Sequence, residues 1–200
     1  MLRQMPFQTG WIEVVCGSMF SGKTEELIRR INLAKLAKQR VVLFKPHMDE
    51  RYAKNHVVSH DQRKVDATNA KNANDILELS RKFEVIGIDE AQFFGLPLID
   101  VCEQLATEGK RVIVCGLDQD YRGIPYEPIP QLLAKAEYVS KLHAICVVCG
   151  NPANKTQRTS SAKERVVIGG TESYEARCRR CHQAELTEET SEIKLSVADA

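Results

Sequence analysis

Residues Gly17-Ser18-Met19-Phe20-Ser21-Gly22-Lys23-Thr24 read GSMFSGKT and fit the pattern G-x-x-x-x-G-K-[ST]. The flanks give the pattern its meaning. Trp11 to Cys16 (WIEVVC) before it is a strand-like apolar run. After it, from Lys23 to Lys38, Leu27, Ile31, Ala34 and Leu36 or Ala37 recur close to helical spacing. Between a strand and a helix, such a glycine-rich turn curls its N–H groups toward a phosphate, and the helix start adds its positive end. In this setting Gly17, Ser18, Met19, Phe20, Ser21 and Gly22 form the cradle. Lys23 reaches the outer phosphates of a nucleotide, and the Thr24 hydroxyl joins the shell of its Mg²⁺.

Working outward, the same alternation continues. Arg40–Lys45 (RVVLFK), Glu84–Asp89 and Arg111–Gly116 (RVIVCG) read as buried strands. Asn72–Lys82, Leu98–Glu108 and Gln131–Glu137 read as helices, the second stopping at Gly109, and Tyr138–Ile145 is a last apolar segment. Apolar strands alternating with amphipathic helices imply an α/β fold, a mainly parallel sheet flanked by helices on both faces. After Ile145 the character changes, so residues 1–145 read as a nucleotide-binding domain and 146–186 as a small appended module. Within the module, Asn154–Arg165 (NKTQRTSSAKER) is polar enough to be expected as a mobile loop. Residues 187–200 are expected to form a disordered tail.

The strand Glu84–Asp89 leads into two adjacent acids in VIGIDEAQFF (Val85–Phe94). Neighbouring strand residues point to opposite faces, so Asp89 and Glu90 are expected to do different work. Asp89 is placed to complete a Mg²⁺ site from the carboxyl end of a strand neighbouring the phosphate-loop strand, with helix capping as its simpler role. Glu90 can polarise water or take a proton from a substrate hydroxyl, and the pair alone does not separate an ATPase from a kinase.

Bulk composition narrows the partners. The chain is 43% hydrophobic and 28% charged with a formal net charge of +1, so no polybasic nucleic-acid or membrane-surface binder is indicated. Met1–Gly10 lacks the apolar core of a signal peptide and no apolar run approaches a membrane span, which leads to the expectation of a cytoplasmic protein. Of the seven cysteines, Cys16, Cys102 and Cys115 lie in apolar stretches and read as small buried residues. Cys146, Cys149, Cys178 and Cys181 form two C-x-x-C pairs, a spacing that suits tetrahedral Zn²⁺. His182 is an alternative ligand to Cys181, and Cys181 fits the commoner knuckle. With no open coordination position supplied, the zinc reads as structural.

Taken together, GSMFSGKT, KPHMDERY (Lys45–Tyr52), SHD (Ser59–Asp61), DEAQFF, GLDQDYRGIPY (Gly116–Tyr126), VVIGGTESY (Val166–Tyr174) and the Cys pairs resemble the zinc-containing type of thymidine kinase shared by the human cytosol and many bacteria. The resemblance runs from Trp11 to His182. It implies a P-loop, RecA-like sheet with a zinc-binding lasso domain, and transfer of the γ-phosphoryl of ATP to the 5′-hydroxyl of thymidine or deoxyuridine. Glu90 then matches the proton acceptor, and Arg51 an arginine that steadies the transferring group beside Lys23. Asp89, Glu90, Ala91 and Gln92 fall on the ATP and Mg²⁺ side. Phe93, Leu117, Tyr121 and Tyr126 match the base pocket, and the lasso, roughly Asn151–Arg177, brings Val167, Ile168, Gly169, Gly170 and Tyr174 over the nucleoside.

Three departures stand out. Ser18 replaces a proline where only backbone should matter, Gln119-Asp120 replaces a Gly-Thr pair before the aromatic, and Tyr121 stands where the human form has phenylalanine. The resemblance also implies a homotetramer, feedback inhibition by thymidine triphosphate, and a role in pyrimidine salvage for DNA synthesis. A recombinase- or helicase-like ATPase with a zinc ribbon uses the same loop and acid pair. The near-neutral charge and the lack of a basic stripe with interleaved aromatics speak against it and against a nucleic-acid partner.

Overall fold

Residues 9–47, 56–58, 64–160, 164–165 and 169–183 are described by the computed structural model of the chain. In chain order the strands and helices are β1 (Trp11–Gly17), α1 (Lys23–Leu36), β2 (Val41–Pro46), β3 (His56–Val58), β4 (Lys64–Asp66), β5 (Thr68–Ala70) and α2 (Ala73–Leu79). There follow β6 (Val85–Ile88), α3 (Pro97–Thr107), β7 (Arg111–Gly116), α4 (Ile129–Lys135) and β8 (Tyr138–Leu142). Among the described residues, the last third holds short strands only: β9 (Ala144–Ile145), β10 (Pro152–Ala153), β11 (Lys155–Arg158) and β12 (Tyr174–Arg177).

Six strands form one sheet in the order β5-β2-β6-β7-β1-β8, and every pairing in it is parallel. The alternation of each strand sorts its residues onto two cores. Ile12, Val14 and Cys16 of β1, Val42 and Phe44 of β2, and Val112 and Val114 of β7 meet α2, α3 and α4 on one face. Val15, Leu43, Ile113 and Cys115 meet Leu27, Ile28, Ile31 and Ala34 of α1 on the other. A Cβ at Gly87 would come within 2.9 Å of both Ile31 Cδ1 and Leu43 Cδ1, so the glycine lets α1 lie close on β6. The expected α/β architecture is present, and Cys16, Cys102 and Cys115 are buried as anticipated.

Element edges moved by a few residues. Asn72 caps α2 from outside, its side chain accepting from Asp75 N at 3.1 Å. The expected apolar segment Tyr138–Ile145 is divided: β8 pairs with β1, whereas β9 turns away to pair with β10. The polar segment Asn154–Arg165, expected as a mobile loop, is partly built into the fold. Its residues Lys155–Arg158 form β11 on β12, with Thr156 and Arg158 buried. Composition misled here because Thr156 and Arg158 each meet specific long-range or loop partners, which composition does not register. The tail 187–200 lies outside the described residues.

One buried acid fastens the sheet to α1. Glu13, 6% exposed in the middle of β1, accepts from Arg30 of α1 at 2.7 Å, Arg111 of β7 at 2.6 Å and Trp11 Nε1 at 2.8 Å. Burial works to raise its pKa, but the bonds from Arg111, Trp11 and Arg30 prevail and hold it below the ordinary carboxylate value. Glu13→Gln should cost roughly 3 kcal/mol, near the lower end of what removing one partner of a buried pair costs. Because the folded pKa is lowered, Glu13's contribution is full above pH 4.5, the ordinary value, and fades as pH falls through the lowered one. Denaturant titrations of both proteins across that range should show the gap closing in acid.

Candidate active site

The glycine-rich turn leaves β1 at the carboxyl edge of the sheet. Gly17 has φ 147°, and a Cβ there would meet Leu142 O of β8 at 2.3 Å, so only glycine fits. Gly22, at φ 83°, precedes α1 in a left-handed conformation that favours glycine. Lys23 is 9% exposed, and its Nζ donates to the Ser18 carbonyl at 2.7 Å, so its charge lies across the loop. Ser21 Oγ donates to the same carbonyl at 2.8 Å.

The loop is also held from the far end of the chain. Thr156 Oγ1 of β11 accepts from Met19 N at 3.0 Å, and Ser18 Oγ donates to Ala153 O at 3.4 Å. Ser18 therefore uses its side chain as well as its backbone. Phe20, a non-glycine residue at φ 64°, packs against Ala144, Cys146, Ala153, Ala176 and Cys178. The phosphate loop and the cysteine module thus share a small core.

The two acids sit just beyond β6, which ends at Ile88. They are separated by a left-handed turn at Glu90 (φ 50°, ψ 44°) rather than by the strand pleat. β6 is not adjacent to β1: β7 lies between them. Parallel strands still end at one edge, about 10 Å apart across one intervening strand, a span suited to a cation with its water. Asp89 is 6% exposed and accepts from Glu90 N at 3.0 Å. Burial, then the charge of Glu90, pushes its pKa up to about 7, against the pull of Cys115, the Glu90 amide and Lys23.

Gln92, 4% exposed, donates from Nε2 to Glu90 Oε2 at 2.5 Å and accepts from Leu117 N at 3.0 Å. Its side chain holds Glu90 against the end of β7. A Cβ at Gly116 would come within 2.8 Å of the Gln92 Oε1, so that glycine admits the amide.

Beyond Gly116 the chain forms an aromatic loop. Phe93 meets Tyr126 edge-on, centroids 6.3 Å apart at 78°. Asp120, 3% exposed, organises the turn by accepting from Arg122 N at 3.0 Å and Ile124 N at 3.1 Å. It also accepts from Arg165 Nε at 3.1 Å. The Arg158 guanidinium lies 3.7 Å from the Tyr121 ring centroid and donates to the Tyr174 hydroxyl at 2.9 Å. Gly170 lies in the turn leading to β12, its carbonyl accepting from Tyr174 N at 3.0 Å.

The Sγ atoms of Cys146, Cys149, Cys178 and Cys181 all lie within 4.8 Å of one another. A tetrahedral zinc with Zn–S of 2.3 Å implies sulfur separations of ~3.8 Å, and Cys149 and Cys178 stand 3.6 Å apart. The donor set fits a metal with no position left open. Each pair is turned by its own backbone bonds, Gly150 N to Cys146 O at 2.9 Å and Cys181 N to Cys178 O at 3.1 Å. His182 faces elsewhere, Nε2 donating to Tyr121 O at 2.8 Å.

The family model described as thymidine kinase matches residues 10–182. The chain belongs to the thymidine kinase family. A thymidine kinase of Rhodothermus sp. (strain ITI 518) is 59% identical over 185 residues, covering 92% of this chain and 87% of the relative. One from Bacteroides fragilis (strain ATCC 25285) is 53% identical over 180 residues, 90% of each chain. Among solved structures, AMPPCP-bound DnaA from Aquifex aeolicus matches at 12% identity with a TM-score of 0.39, over 68% of this chain and 42% of that one. So distant a likeness bears on nothing further.

Within this thymidine kinase fold, Lys23, Thr24, Asp89, Glu90, Ala91 and Gln92 lie in the segments that follow β1 and β6 at the carboxyl edge of one sheet. Phe93, Leu117, Tyr121, Tyr126 and Tyr174 belong to the adjoining loops and hairpin. Arg51, Val167 and Ile168 lie outside the described residues. The sequence reading assigned no role to Asp120 or Arg158, and it missed the bridging of Glu90 by Gln92. Only Asp120 left a local sign, an aspartate opening a turn that contains Gly123. Phe20→Ala should weaken binding of a non-hydrolysable ATP analogue about tenfold, or about 1.4 kcal/mol, by calorimetry, because the loop loses its packing on the cysteine module.

Proposed function

We propose that the chain transfers the γ-phosphoryl of ATP to the 5′-hydroxyl of thymidine, and of deoxyuridine, as an ATP:thymidine 5′-phosphotransferase. Family membership supports the reaction. The observation that carries the residue roles is the Glu90–Gln92–Leu117 chain, which ties a carboxylate beside the phosphate loop to the start of the aromatic loop. A proton acceptor placed there lies between the two substrates. The thymidine kinases of Rhodothermus and Bacteroides fragilis support the same choice of nucleoside.

In this reading the loop amides of 17–22, Lys23 and Thr24 hold the phosphates, and Asp89 faces the Mg²⁺. That ion, when bound, offsets phosphate charge and aligns the γ-phosphoryl group. Glu90 accepts the 5′-hydroxyl proton as the new O–P bond forms and the bond to the ADP oxygen breaks. Arg51 steadies the transferring group. Phe93, Leu117, Tyr121 and Tyr126 bound the base, and Val167, Ile168, Gly169, Gly170 and Tyr174 close over it. Cys146, Cys149, Cys178 and Cys181 hold a structural Zn²⁺ that anchors the lasso at both ends.

The wider reading has residues 1–145 as the nucleotide-binding domain and 146–186 as the zinc and lasso domain. It adds a cytoplasmic homotetramer inhibited by thymidine triphosphate and serving pyrimidine salvage. Among the described residues no helix is long and apolar enough to cross a membrane.

A panel of nucleosides with ATP and Mg²⁺ should show phosphorylation of thymidine, and single-stranded DNA should not stimulate ATP consumption. DNA-only stimulation would overturn the reading. Glu90→Gln should lower kcat about 10³-fold, within the range for losing a general base, while leaving ATP-analogue affinity nearly unchanged. Near-normal turnover in that variant would remove Glu90 from the role.

A further inference from the structure

Arg158 is 7% exposed, between the half-buried Gln157 and the exposed Thr159. It is the last residue of β11, directly across from Tyr174 at the first residue of β12. Just beyond this rung, Thr159 N bonds Ser173 O at 2.9 Å, so Arg158 stands at the neck of the 159–173 loop. Its guanidinium fork reaches in several directions at once. It donates to the Glu164 carbonyl and, at 3.0 Å, to the Arg165 carbonyl, fixing the returning backbone of that loop. It bonds the Tyr174 hydroxyl at 2.9 Å. Its plane also covers a face of Tyr121, 3.7 Å from the ring centroid.

We infer that Arg158 is a positioning residue for the nucleoside. It fixes Tyr121, Tyr174 and the neck of the lasso relative to one another, and so sets how well the pocket is formed before thymidine enters. This rests on the proposed function, because it assumes that Tyr121 and Tyr174 face the nucleoside. The physical case lies in the side chain's shape. A planar cation can lie on an aromatic ring while its edge N–H groups serve two carbonyls and a hydroxyl, whereas an ammonium group cannot do all of these. Arg165 supports the arrangement from outside, its guanidinium 4.5 Å from the Tyr126 ring centroid and bonded to Asp120. The nucleotide side does not share these contacts: the phosphate loop is held instead by Thr156, Ala153 and the cysteine core.

The test compares Arg158→Lys, which keeps the charge and loses the fork, with Arg158→Met, which keeps length alone. Both should raise KM for thymidine about tenfold or more while kcat stays within about threefold and KM for ATP within about twofold, the pattern of lost ground-state positioning. In a cycle with Tyr174→Phe, the effects of Arg158→Met and Tyr174→Phe on thymidine KM should combine to less than their product.

An unchanged thymidine KM in Arg158→Lys overturns the inference. So does a joint loss of kcat and of affinity for both substrates with a lowered Tm, which marks a merely structural role. Multiplicative effects in the cycle overturn it as well. The wild type in the same assay separates the two claims: no thymidine phosphorylation there removes the proposed function itself, whereas normal wild-type activity leaves the outcome to Arg158.

Discussion

The parallel pairing of β1 with β7, Trp11 against Arg111 through Cys16 against Gly116, is the constraint on which the site depends. It brings the phosphate loop and the aromatic loop out of neighbouring strands at the same edge. The further pairing of β7 with β6 adds the acids to that edge. Each strand is apolar on both faces, so a one-residue slip would exchange the residues meeting α1 with those meeting α2–α4. Glu13 adds a polar check on register, since its carboxylate meets Arg111 and Arg30 only in this alignment.

On this frame the cysteine module is more than an appendage. Its hairpins meet the phosphate loop through Thr156, Ala153 and the small core around Phe20, and the aromatic loop through His182 and Arg158. One folded unit therefore braces the loops assigned to both substrates. A polar segment can carry that load because two of its buried side chains have specific partners. Thr156 serves a single amide, and Arg158 serves carbonyls, a hydroxyl and a ring.

The parts legible in the sequence were those with periodic or motif form. The strand–GSMFSGKT–helix pattern located the loop, alternation located β2, β6 and β7, and C-x-x-C spacing grouped four cysteines that converge in space. The rest depended on long-range partners. Nothing near Gln92 announces its bond to Leu117 N, 25 residues away, and Arg158 lies in a stretch whose composition reads as solvated loop. The expected strand separation of Asp89 and Glu90 failed for a local reason: β6 stops one residue short, and a left-handed turn takes over. The position of β7 between β1 and β6 is a matter of sheet order, which no local pattern encodes.

The bond from Met19 to Thr156 spans 137 residues, and that span has a consequence for biosynthesis. At about 5–20 residues per second, the ribosome takes roughly ten seconds to make the acceptor after the donor. During that time the loop has its glycines, its lysine and its helix, but not the surface against which Phe20 packs. The bracing of that loop therefore arrives late in translation, with the final hairpin. A chain cut short after β8 would retain the core strands and helices without the brace on its phosphate loop.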